Sequence, residues 1–83
     1  MTQVTTSAQL RKMIEEGVHD YFIQLNFGLR SSKQIDYSPE TEKYYILNEI
    51  DDTEQELDEK QLFDRVFTNI GYAIQNGALY SYE

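Results

Sequence analysis

Eighty-three residues, no cysteine and a net charge of −8 describe one small domain, 1–83, with a modest core. The missing thiols exclude disulfides, thiolate nucleophiles, zinc–thiolate sites and iron–sulfur clusters. No apolar run approaches the roughly 18 residues of a spanning helix, and residues 1–20 hold no apolar signal core, so the expectation is a soluble, cytoplasmic protein without cofactors.

In chain order, Met1 to Thr5 is polar and expected to fray. Thr6 is placed as an N-cap with Gln9 three residues on. Leu10, Met13 and Ile14 then form one stripe of a helix over about 7–16, which Gly17 ends. Tyr21 to Arg30 (YFIQLNFGLR) alternates strictly. Tyr21, Ile23, Leu25, Phe27 and Leu29 share one face, which marks a half-buried strand. A turn is expected at Ser31-Ser32, then a strand over Lys33 to Tyr37. Ser38-Pro39-Glu40-Thr41 reads as a type I turn. A third strand follows over Lys43 to Ile50. Three strands on short turns make an antiparallel meander.

Asp51 to Glu56 (DDTEQE) has no apolar residue and is expected to lie in solvent. Asp58 caps the next helical segment, with Gln61 at N3 and Leu57 and Leu62 in staple positions. Helical period runs on to Gly77. Thr68 is a good cap and Gly71 a poor interior residue, so the segment is one kinked helix or two short ones. Ala78 to Tyr82 adds a short edge strand or a packed tail. The fold expected is α+β: an N-terminal helix, a three-stranded meander, and a C-terminal helical segment, with the helices on one sheet face.

The charge is concentrated in residues 34–59. There Lys43 stands alone against Asp36, Glu40, Glu42, Glu49, Asp51, Asp52, Glu54, Glu56, Asp58 and Glu59. Such a field repels phosphates and anionic lipid and attracts a basic protein surface. Two readings stand open for Glu49, Asp51, Asp52, Glu54, Glu56, Asp58 and Glu59: an anionic docking surface imitating nucleic acid, or a solubilising helix approach. As a calcium loop the run fails, because the sixth residue from Asp51 is Glu56 rather than Gly and the twelfth is Leu62 rather than Glu. No metal site is expected. Arg30-Ser31-Ser32-Lys33 at the expected hairpin tip offers two cations and two hydroxyls to a phosphate, with a plain polar turn as the alternative. His19 lacks an orienting partner, and no serine sits in a nucleophile setting, so the chain is read as no enzyme. Seven tyrosines suit an interface, with Tyr80 and Tyr82 expected to be exposed.

Three phrases, LRSSKQI (Leu29 to Ile35), NEIDDTEQEL (Asn48 to Leu57) and TNIGYAIQNGALY (Thr68 to Tyr80), resemble small acidic proteins of bacterial mobile elements, phages and conjugative plasmids among them. The resemblance implies a context and names no activity. Such proteins often block a host nucleic-acid enzyme. The expected function is therefore a non-enzymatic module that docks on a basic, nucleic-acid-binding surface of a host protein. The alternatives are direct nucleic-acid binding through Arg30 to Lys33, and a small oligomeric scaffold.

Overall fold

The structure, a computed structural model, describes residues 1–24, 28, 30–48 and 52–83. In order these form β1 (Thr2–Gln3), α1 (Ser7–Glu15), β2 (Asp20–Gln24), β3 (Arg30–Ser38), β4 (Lys43–Asn48), β5 (Thr53–Asp58), α2 (Glu59–Phe63), α3 (Asn69–Gln75) and β6 (Leu79–Ser81). The strands make one antiparallel sheet in the order β1-β6-β2-β3-β4-β5. The class is α+β as expected, but the sheet has six strands rather than three.

Local chemistry sets the helix ends. Thr6 Oγ1 accepts from Gln9 N at 3.1 Å, and Gln9 Oε1 accepts from Thr5 N at 2.9 Å, so the side chains of the first turn satisfy one free N–H of α1 and one of the chain that leads into it. Asp58 and Gln61 form a reciprocal capping box on α2, at 2.7 and 3.1 Å. The C-terminal apolar run breaks in two because Thr68 caps α3, accepting from Gly71 N at 2.9 Å. Gly71 is required where α3 crosses the end of α2: a Cβ there would sit 2.7 Å from the Asp64 carbonyl oxygen and the Phe63 carbonyl carbon.

Four expectations are corrected. Met1 to Thr5 does not fray: Thr2 and Gln3 pair with β6, and Val4 is fully buried. The expected strand Tyr21 to Arg30 is not one strand: its described beginning belongs to β2, Asp20–Gln24, and Arg30 already belongs to β3, opposite Gln24. Ser31 and Ser32 therefore lie inside a strand rather than a turn, opposite Ile23 and Phe22. Leu25, Asn26, Phe27 and Leu29, the rest of that expected strand, lie outside the described residues, as does Ile50. DDTEQE lies in solvent from Asp52 on, as expected, and it does so as a strand: Thr53 onward is β5, hydrogen-bonded to β4. It needs no apolar run because it is an edge strand, exposed along most of its length. Finally, Ala78 to Tyr82 does give a strand, β6, but β1 and β2 flank it.

Paired residues across the ladders share a face. Tyr21, Ile23, Ile35, Tyr44, Ile46, Leu57 and Leu79 fall on one side and pack with Val4 and with Leu10, Ile14, Leu62, Ile70 and Ala73 of the helices. All three helices lie on this side. Among the described residues no helix covers the other face, and no helix is long and apolar enough to cross a membrane.

Candidate docking face

The uncovered face is built by the alternate residues of β2 to β6. Across β5, β4 and β3 two rows run side by side. Glu56 stands opposite Tyr45, and Tyr45 opposite Asp36; Glu54 stands opposite Leu47, and Leu47 opposite Gln34. Tyr45 and Leu47 are half-buried, while Glu54, Glu56 and Asp36 are exposed. His19 closes the end of the row, its Nδ1 3.1 Å from the Ile35 carbonyl and 3.8 Å from an Asp36 carboxylate oxygen. His19, Gln34, Asp36, Tyr45, Leu47 and Glu54 line a shallow concavity of about 350 Å³.

The seven acids singled out in the sequence divide by strand geometry. Glu54 and Glu56 point to the open face. Asp58 is consumed by the capping box. Glu59 sits in the first turn of α2, with a carboxylate oxygen 3.8 Å from Arg11 on the helix side. Asp52 stands in a turn at φ 57, a left-handed position that Asp tolerates. Glu49 and Asp51 lie outside the described residues. The sequence reading missed Asp36, Tyr45 and Leu47 as neighbours of this acidic edge. Their period-two alternation carried the signal, once β5 was recognised as a strand beside β4.

Further along the same face, Phe22 is buried although no helix touches it. Tyr80 stacks on it at 5.5 Å, Tyr82 leans on it at 4.7 Å, and the Arg30 guanidinium lies 4.4 Å over its ring. A 2.6 Å hydrogen bond joins Ser32 Oγ to the Tyr82 hydroxyl. Tyr82 is exposed, as expected, but Tyr80 is only half-exposed. The four residues Arg30, Ser31, Ser32 and Lys33 do not converge on one phosphate. Arg30 and Ser32 face the open side, whereas Ser31 and Lys33 face the helices, and Lys33 is buried.

On the helix side Arg11 lies 4.4 Å over the Tyr37 ring, beside Tyr44 and Glu59. Burial pushes the Tyr44 phenol up, and the neighbouring guanidinium pulls it part of the way back. Among the described residues no group of three or more His, Asp and Glu side chains is placed to hold a metal ion. No family model, curated protein or solved structure matches the chain.

Proposed function

We propose that the protein is a non-enzymatic binding module whose open sheet face docks on a basic surface of another protein. The observation that supports this reading is the grouping of Glu54, Glu56 and Asp36 around half-buried Tyr45 and Leu47, on a face that no helix covers. A lysine or arginine from a partner would lay its apolar stem on Leu47 and the Tyr45 ring and bring its charge to the carboxylates. The carboxylate spacing is that of a strand edge, and the surrounding −8 charge adds attraction at long range.

The resemblance to acidic mobile-element proteins makes a host protein with a nucleic-acid-binding groove the class of partner in this proposal. Blocking that groove would be the action. Direct nucleic-acid binding is the weaker reading, because Lys33 and Arg30 lie on opposite faces and Arg30 is stacked on Phe22.

The test is recovery of partners from host lysate by the tagged protein, with nuclease present, at low and at high salt. The expected result is a nuclease-resistant protein with a basic groove that leaves the column as salt rises. Recovery that depends on nucleic acid, or that does not respond to salt, contradicts the proposal.

A further inference from the structure

On the helix side of the sheet, between the β4–β5 end and the start of α3, lies a cleft of about 230 Å³. Ile46, Leu57, Ile70 and Phe67 supply its apolar walls, and Gln55 and Asn69 its polar rim. Lys33 enters it from β3. The residue is only 9% exposed. Its ammonium has no hydrogen bond and no ion pair among the described residues, and none of the described residues lining the cleft is an acid. Among the described residues the side-chain polar atoms fully enclosed without a partner are Arg11 Nε and Tyr44 Oη, so the Lys33 ammonium keeps an opening to the cleft.

A cation enclosed over most of its length without a counter-charge is costly to keep. This chain has fifteen acids to choose from, yet the described wall of this cleft holds none of them. The cation is thus left available to a negative group from outside. We infer that this cleft binds a small organic monocarboxylate, its carboxylate on Lys33 and its apolar body against Phe67 and Ile70. A single lysine balances one negative charge. A phosphate dianion would remain under-compensated inside so acidic a molecule. The volume lies below the roughly 300–1,000 Å³ of a drug-sized site, which restricts the ligand to a small acid. Phe67, 55% exposed at the rim, gives the apolar part a surface to cover. This site lies on the other face from the docking surface and does not depend on it.

The experiment is an amide NMR titration of the whole chain with benzoate, and separately with inorganic phosphate, at matched ionic strength. Saturable shifts with benzoate at Lys33, Asn69 and Ile70 are expected, with phosphate at least tenfold weaker. Lys33→Met should reduce benzoate affinity at least tenfold while melting at the same or a higher temperature. Gln55→Glu, which supplies an internal carboxylate, should weaken benzoate binding in a chain that still carries Lys33. Absence of saturable shifts, stronger binding of phosphate, or undiminished binding by both variants overturns the inference.

Discussion

The two faces of this sheet are made by the same strands and obey different rules. On the helix side, Tyr21, Ile35, Tyr44 and Leu79 are fully buried, and the ring contacts of Tyr44 with Tyr37 and Phe63 fill the space beneath the helices. On the open side the deeply buried Phe22 is roofed by tyrosines and arginine, and the half of the face toward β5 carries carboxylates around Tyr45 and Leu47. One face is specified by packing, and the other is free to be specified by what it meets. The difference also explains why one charge type has opposite meanings on the two sides. Arg30 covers a ring in water, whereas Lys33, three residues on, is mostly enclosed and opens on a cleft, without a partner among the described residues.

The sharpest way to break this comparison is to truncate each face. Ile35→Ala, on the helix side, should cost about 2–5 kcal/mol in urea unfolding, as large-to-small changes in a closed core do. Glu56→Ala, on the open side, should stay within about 0.5 kcal/mol of wild type. Similar losses at both positions would mean that the faces are not distinct. Next in size, Gly71→Ala should destabilise by about 1–3 kcal/mol, because its methyl group would meet the backbone of Phe63 and Asp64 where α3 crosses α2. An unchanged unfolding midpoint would show that this crossing yields easily.

The smallest effect at neutral pH concerns the buried phenols. Burial raises the Tyr21 pKa above its ordinary value of 10.0, and the Tyr21 hydroxyl donates to the Val18 carbonyl at 2.8 Å. The folded state therefore holds its proton more tightly than the unfolded state does. Stability is intact below about pH 10 and falls as pH rises above it. Denaturant midpoints at rising alkaline pH should fall less steeply in Tyr21→Phe than in wild type. Parallel curves for the two chains would contradict the assignment.

Much of the frame was legible in the sequence because it is local. Thr6 with Gln9, Asp58 with Gln61, and Thr68 before Gly71 write the helix starts in side-chain chemistry. The two outer strands were hidden because they have little to bury. β1 contributes only two residues, and its anchor is the single neighbouring Val4. β5 alternates in charge rather than in hydropathy: Glu54, Glu56 and Asp58 are acidic, and Thr53, Gln55 and Leu57 between them are not. An edge strand wet on most of its surface leaves that trace alone. Alternation already places Lys33 on the face of Ile35, but the cleft around it could not be read, since its walls come from β5, which was not expected as a strand, and from the start of α3.

The central claim is that one face, and not net charge alone, meets the partner. The most direct measurement compares two double variants of equal charge change on the same strand, in a binding titration with the partner recovered at low salt. Glu54→Gln with Glu56→Gln removes two charges from the open face, and Thr53→Lys with Gln55→Lys adds two of opposite sign to the helix-side face. Both should remain folded by circular dichroism. At least tenfold weaker binding by the first pair, with the second close to wild type, is the predicted result. Equal losses in the two would show that the partner reads only the total charge, and would contradict the claim.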